Sequence, residues 1–340
     1  RSSSRPPARC PEGRAMGERL VTAAYSSAWR AVRLLPARPA YLLFSVLAQL
    51  AWLRQGPGVR RLEANLARVV PDASPMRLKM LSRKGMHSYL RYWCDAFRLP
   101  DWSPEYLLAT CRAEGDEPVR QALAEGRGVV MALSHSGNWD HAGAWSTLAL
   151  ARVTTVAERL RPEELFQRFM RFRQQLGMEI LPLTGGGDVF GILVRRLRKG
   201  GFVPLLADRD LTATGVVVRL FGEQARMATG PASLALVSGA ALFPVSIHYE
   251  RLPAGAPARW GTVVHFHPEV PVPADGDHAE RIARMTQACA DALAEGIAAH
   301  PEDWHMLQRV FVADWVEFPG GAAPDTRAGS SGLPGSGPGH

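Results

Sequence analysis

The sequence has 340 residues, 46% hydrophobic and 21% charged. That is enough to bury a sizeable core as one large α/β domain or two ordinary ones, and too apolar for a chain disordered throughout. Lys+Arg is 40 against 32 Asp+Glu, a net charge of +8. The four cysteines, Cys10, Cys94, Cys111 and Cys289, form no C-x-x-C pair. This excludes a zinc ribbon and a thioredoxin-like redox motif, and makes a reducing compartment the default.

Arg1–Ala15 (RSSSRPPARCPEGRA) is polar and Pro-rich and reads as a disordered leader ahead of Met16. Residues 16–98 read as helices over 17–35, 40–54, 58–69 and 76–98, separated by prolines and Gly56. From Arg19 to Leu62 there are seven arginines (Arg19, Arg30, Arg33, Arg38, Arg54, Arg60, Arg61) and no acid. The same stretch holds Ala40–Leu53, fourteen residues without a charge. It is short of the roughly 20 residues a spanning helix needs, and too far from the start for a secretory signal. Arginines around an apolar helix with Trp29, Tyr41 and Trp52 suit an anionic leaflet. The expectation is a peripheral protein on the cytoplasmic face of the inner membrane, with Leu42, Leu43, Phe44 and Trp52 partly inserted. The competing reading is a core helix with a solvated basic rim. No nucleic-acid motif accompanies the charge, so nucleic acid is not an expected partner.

After Pro100 short apolar runs alternate with amphipathic ones. Strands are expected over Val129–Leu133, Val153–Ala157, Glu179–Leu183, Phe202–Ala207, Val216–Phe221, Ala241–Tyr249 and Thr262–Phe266. Helices are expected over 117–125, 138–150, 162–176, 187–199, 230–239 and 277–299. Runs such as GVVMALS and FVPLLA are apolar on both faces, as a sheet covered on both sides requires. The fold class is therefore α/β: a central mixed sheet covered by helices, preceded by an amphipathic helical N-terminal region. One folded unit spans 16–318, with a helical part to 98 and an α/β part from 99. From Pro319 the chain reads as a disordered tail.

Ligands of open α/β sheets bind at the carboxyl ends of strands. Val129–Leu133 runs into Ser134-His135-Ser136-Gly137-Asn138-Trp139-Asp140, which puts His135 at a strand end and Asp140 in the first turn of a helix. A carboxylate on one ring nitrogen makes a histidine a general base at the other, and Asp140 is expected to supply it. Among ten histidines only His135 has an Asp at this distance. The spacing alone is weak, and a satisfied surface histidine at a helix N-cap competes with it. Three more clusters close neighbouring strands: Glu158-Arg159, Thr184–Asp188 with its three glycines, and Asp208-Arg209-Asp210. Arg168, Arg171 and Arg173 lie on the helix between two of them. G-x-S-x-G, Walker A, G-x-G-x-x-G and H-E-x-x-H are all missing, against a serine hydrolase, a P-loop NTPase, a Rossmann dehydrogenase and a zinc protease. A His/Asp base without a side-chain nucleophile, beside basic anchors and a membrane-facing segment, fits direct transfer from a carrier thioester to a lipid hydroxyl.

His135-x4-Asp140 within LSHSGNWDHAGAW, then VAERL, then LLADRDLTATGVVVRLFGEQARMATGPASLAL, resembles the bacterial lysophospholipid acyltransferase superfamily. Within it the resemblance is to the branch of lipid A late acyltransferases and phosphatidylinositol mannoside acyltransferases. GVRRLEANLARVVP, DRDLT and DWHMLQRVF favour the mannoside side. The resemblance implies transfer of a long acyl chain from acyl-CoA to a mannose hydroxyl of an anionic glycolipid, without a cofactor or metal. It implies His135 as general base, Asp140 as its orienting carboxylate, and Glu158 and Arg173 as groove residues. It also implies a second functional carboxylate at Asp208 or Asp210. Arg159, Arg173 and Arg209 are candidate partners for the CoA phosphates, with the Gly185–Gly187 turn as a weaker one. A lipid A-type acyltransferase, a thioesterase and a silent lipid-binding protein remain as alternatives.

Overall fold

The computed structural model describes residues 29–157, 163–182, 187–210 and 215–316. The expected leader, the tail and Arg19 lie outside them. Residues 29–34 are helical and lead into α1 (Ala37–Leu53), α2 (Pro57–Val69) and α3 (Pro75–Arg98). α2 and α3 each begin on a proline, where the missing N–H has no intrahelical partner to lose. Ser74 caps α3 by accepting from the Arg77 N–H at 3.3 Å.

Ala40, Phe44 and Ala48 recur every four residues and are buried against Leu62, Leu66, Met86, Leu90 and Cys94. The two alanines let α1 lie close on α3. The opposite face of α1 is apolar too, yet exposed: Leu42, Leu43, Val46, Leu47, Leu50 and Leu53. Two expected membrane contacts are thus corrected. Phe44 packs inward at 7% exposure, and Trp52 donates from Nε1 to Ser82 Oγ at 3.1 Å. Nor does the basic segment stay unpaired, since Arg33 bridges to Asp101 and Arg61 to Asp314 at 2.6 Å. Among the described residues no helix is long and apolar enough to cross a membrane.

The α/β part runs α4 (Pro104–Thr110), β1 (Cys111–Glu114), α5 (Glu117–Ala124), β2 (Val129–Leu133), α6 (Trp139–Ala149), β3 (Thr154–Ala157), α7 (Glu163–Gln175), β4 (Glu179–Pro182), α8 (Val189–Leu197) and β5 (Phe202–Leu206). It continues with β6 (Val216–Leu220), β7 (Glu223–Met227), α9 (Gly230–Ser238), β8 (Ala241–Arg251), β9 (Trp260–Phe266), α10 (His278–Ala299) and the short α11 (Ala313–Val316). Five strands form the mixed sheet in the order β1-β9-β8-β2-β5, with only β8 and β9 antiparallel.

All five residues of β2 are buried. Val129, Met131 and Leu133 face Val119, Ala142, Trp145 and Phe166 from α5, α6 and α7. Val130 and Ala132 face Leu193, Leu197, Ala232, Leu234 and Met285 from α8, α9 and α10. This two-sided cover explains the unbroken apolar run. β1, β7, α4 and α11 were not legible. β1 is a partly exposed edge strand of four residues, and β7 reads EQARM, three of its five residues polar. What makes β7 a strand is the hairpin turn: Phe221 and Gly222 both have positive φ, 50° and 81°, as a two-residue type I′ turn requires.

β3 and β4 pair with each other in parallel, and one isolated backbone bridge, from Val153 just before β3 to Phe202, joins them to β5. Past that bridge Pro204 has no N–H to offer a neighbouring strand. Its carbonyl instead accepts from Thr155 Oγ1 at 2.6 Å. The strands therefore part along a seam.

Candidate active site

The loop after β2 is built from both sides. Asn138 Oδ1 accepts from the His141 N–H at 3.0 Å and caps α6. Gly137 sits at φ 57°, and a Cβ there would meet the Ile247 backbone at 2.8 Å, so only glycine fits. The segment Asp303–His305 clamps the loop. The Gly137 N–H donates to Asp303 O at 2.9 Å and the His305 N–H to His135 O at 2.8 Å. Trp304 bridges antiparallel to Ser136.

Asp208, just past β5, is 1% exposed. Its carboxylate holds His135 twice: Oδ1 pairs with Nδ1 at 2.5 Å, and Oδ2 accepts the His135 backbone N–H at 2.9 Å. The Trp304 indole N–H adds a third contact at 2.9 Å. Burial pushes the Asp208 carboxyl up, but the imidazole charge and these hydrogen bonds outweigh it and hold the group below its ordinary value. Nδ1 is thus occupied, and Nε2 is the nitrogen left for chemistry.

Asp140 does something else. Its carboxylate accepts from Arg173 Nε at 2.7 Å and Nη2 at 3.2 Å, and from the Tyr92 hydroxyl at 2.9 Å. The expected hydrogen bond from Asp140 to His135 is therefore replaced by one from Asp208, which reaches the ring from the adjacent strand. A carboxylate in the first turn of α6 is instead aimed at α3 and α7. Burial pulls the Arg173 guanidinium down, but Asp140 more than offsets it and holds the charge. Burial, then Asp140, pushes the Tyr92 phenol up, so it stays a donor.

A cleft of about 640 Å3 opens beside His135, a size within the usual range of ligand pockets. Trp139, Asp140, Arg173 and Arg209 line its mouth, and Gly187 and Asp188 part of its side. Its depth is apolar and lies along the seam between β3 and β5. Met131, Leu133 and Met178 enter from one face of the sheet, and Leu193, Leu205 and Leu234 from the other.

Asp210 stands away from the imidazole. It accepts the Gly215 N–H at 2.9 Å and lies 3.5 Å from Arg226 Nη2. Of the two acids beside Arg209, Asp208 is the one on the histidine. Glu158, Arg159, Gly185 and Gly186 lie outside the described residues, as does the Arg168 side chain, and Arg171 is exposed. Asp188 caps α8 through the Gly191 N–H at 2.8 Å. Among the described residues no cluster of His, Cys, Asp and Glu could hold a metal ion.

Sequence reasoning missed the supporting layer. Asp303 accepts from Ser88 Oγ at 2.5 Å and from the Tyr249 N–H at 2.8 Å, and Ser88 also meets His305 Nε2 at 2.9 Å. Buried Asp95 gathers Tyr41, Asn138 and Tyr249. An acid and two aromatic rings in DWH, so near the end of the fold, were the available signal.

Residues 12–312 match the model of the bacterial lipid A biosynthesis acyltransferase family. A phosphatidylinositol mannoside acyltransferase of Mycolicibacterium smegmatis is 42% identical over 300 residues, covering 88% of this chain and 94% of that protein. One from Mycobacterium tuberculosis is 44% identical, covering 86% and 89%. The match spans the helical layer, the sheet and the clamp at Trp304 alike, so the chain belongs to the bacterial lipid A biosynthesis acyltransferase family.

Proposed function

We propose that the protein moves a long acyl chain from acyl-CoA to a sugar hydroxyl of a glycolipid, the mannose of a phosphatidylinositol mannoside. The observation that carries this reading is the pairing of buried Asp208 with the partly exposed His135 at an apolar cleft. The relatives, both named as phosphatidylinositol mannoside acyltransferases, support the acceptor class.

His135 Nε2 takes the proton of the hydroxyl as its oxygen attacks the thioester carbonyl. Asp208 fixes the tautomer and stabilises the imidazolium. The tetrahedral oxyanion collapses, the C–S bond breaks, and the CoA thiolate leaves and regains the proton from His135. No covalent enzyme intermediate is needed, because a thiolate leaves readily. Arg209, which lines the cleft beside His135, is the candidate for the oxyanion or the CoA phosphates, while Arg173 holds Asp140. Asp140 shapes the mouth through Arg173 and Tyr92.

The enzyme works at the cytoplasmic face of the inner membrane, held by the exposed leucines of α1 and by arginines around them. The test is incubation of the purified chain with labelled palmitoyl-CoA or palmitoyl acyl carrier protein and a panel of glycolipid acceptors, read by mass spectrometry. An acylated mannoside is the expected product. Free fatty acid alone, whatever the acceptor, makes the protein a thioesterase instead.

A further inference from the structure

A second cavity of about 890 Å3 lies between α1, α3 and the hairpin joining β8 to β9. It shares no lining residue with the catalytic cleft. Three arginines line it, Arg38, Arg91 and Arg259, together with His87, and no carboxylate does. The Arg91 guanidinium is held by aromatic faces instead of an acid, 3.9 Å from the Trp260 ring centre and 4.7 Å from that of Tyr249. Arg38 and Arg259 are exposed. Among the described residues none of the three arginines takes part in an ion pair, whereas Arg33 and Arg61 of the same basic segment do.

The nearest buried acid is spoken for. Asp95 sits behind the wall, where Tyr41 donates to it at 2.5 Å and Asn138 at 3.1 Å. Burial raises its carboxyl above the ordinary value, which reduces the negative charge it could offer the arginines. The cavity is thus lined by positive charge and aromatic walls, with Asp95 and Asp303 acting on Arg91 only from behind the wall and Arg38 and Arg259 outside any ion pair among the described residues. Its rim runs into the membrane-facing stripe, because Leu42 belongs to both.

We propose that this cavity binds the phosphate-bearing head of an anionic phospholipid, whose acyl chains lie along the exposed leucines of α1. Guanidinium groups recognise phosphate oxygens by paired N–H donors. The adjoining apolar stripe selects a lipid over a free phosphate. The site is separate from the catalytic cleft and fixes which way the mouth faces the leaflet. It rests on the reading of α1 as a membrane face.

The experiment uses the full chain and sedimentation with vesicles of phosphatidylcholine alone or mixed with phosphatidylglycerol. The variant R38A/R259A removes two exposed side chains and leaves the packing untouched. R91Q is added to it and checked by thermal melting. A control of equal charge, R120A/R127A/R198A, strips arginines around the amino ends of β2 and β5. Each cavity arginine lost should weaken anionic-vesicle binding by roughly fivefold, the worth of one basic side chain near such a surface. The control should lose far less, and turnover of a water-soluble acceptor should not change. Cavity variants that bind like the control overturn the site, as does displacement of vesicles by glycerol 3-phosphate. Equal wild-type binding to both vesicle types overturns the site and leaves the membrane face standing. No binding to either removes the membrane face itself.

Discussion

Asp208 and Asp140 are both buried, both sit at the carboxyl end of the sheet, and both line or back the same mouth, yet they hold different partners. Asp208 closes on an imidazole whose other nitrogen is open. Asp140 closes on a guanidinium and a phenol that both donate to it. In the proposed reaction the first pair carries the proton; the second is a fixed ion pair that ties α6 to α3 and α7. The contrast teaches that spacing along the chain places two groups in one neighbourhood, while strand order decides which of them touch. β5 lies directly beside β2, pairing Leu133 with Leu206, so the second residue past β5, Asp208, faces the second residue past β2, His135.

Replacing the base itself should have the largest effect. His135→Ala removes the group that takes the proton and should lower kcat by about 10⁴, the upper end of the range for general-base loss. The fold should survive, since the His135 loop is fastened by main-chain bonds to Asp303 and His305, and the melting temperature should fall only in part, because buried Asp208 loses the imidazole but keeps the Trp304 indole and the backbone N–H at 135. Wild-type turnover in the folded variant breaks the assignment of His135. Next comes Asp208→Asn. It keeps the shape but withdraws the charge that stabilises the imidazolium, and should lower kcat by about 10² with little change in KM.

Asp140→Asn is the sharpest comparison. If the two carboxylates differ as the geometry says, this variant is chiefly a stability mutant. It leaves Arg173 charged and mostly buried without its acid, at a cost of about 3 kcal/mol. Its melting temperature should fall well below that of Asp208→Asn, while its kcat stays closer to the wild type. Thermal melts beside steady-state kinetics on both variants read this directly. If Asp140→Asn instead loses turnover like His135→Ala while melting normally, the division between the two acids fails.

The periodic elements were legible because their burial is periodic. α2, α3 and α10 show one apolar face, α1 carries the uncharged apolar run Ala40–Leu53 between Pro39 and Gly56, and β2 and β5 are apolar on both faces, so their positions could be read to within a few residues. β1 and β7 carry too few apolar residues for their pairing to show. The site was half legible. His135 at a strand end follows from the sheet architecture. Its partner does not, because it depends on β5 lying next to β2, a contact 73 positions away in sequence. The Asp303–His305 clamp was hidden for the same reason. Phe44 and Trp52 were misread because composition shows that a helix is apolar, but not which side of it the neighbouring helices cover.

The smallest effect concerns acid, and it sets the supporting layer apart from the catalytic pair. Two fully enclosed histidines behind the site, His141 and His305, are pressed by burial to about 4 and about 3. Arg91 and His135 add to the effect on His305. Both stay neutral in the folded protein, whereas in the unfolded chain each takes up a proton below an ordinary value of about 6.5. The unfolded state therefore binds more protons between about pH 6.5 and pH 4, and stability falls as the pH drops through that window. Each histidine contributes a slope of about 1.4 kcal/mol per pH unit there and nothing above it. Asp208 acts lower still: its depressed value contributes stability above the ordinary carboxylate range, lost only as the pH falls through its folded value. Denaturant melts from pH 7 to pH 5 on the wild type and on a variant with His141 replaced by Asn should show the variant with the shallower decline. Parallel declines would mean that His141 is charged in the fold, and would remove the neutral layer behind the catalytic histidine.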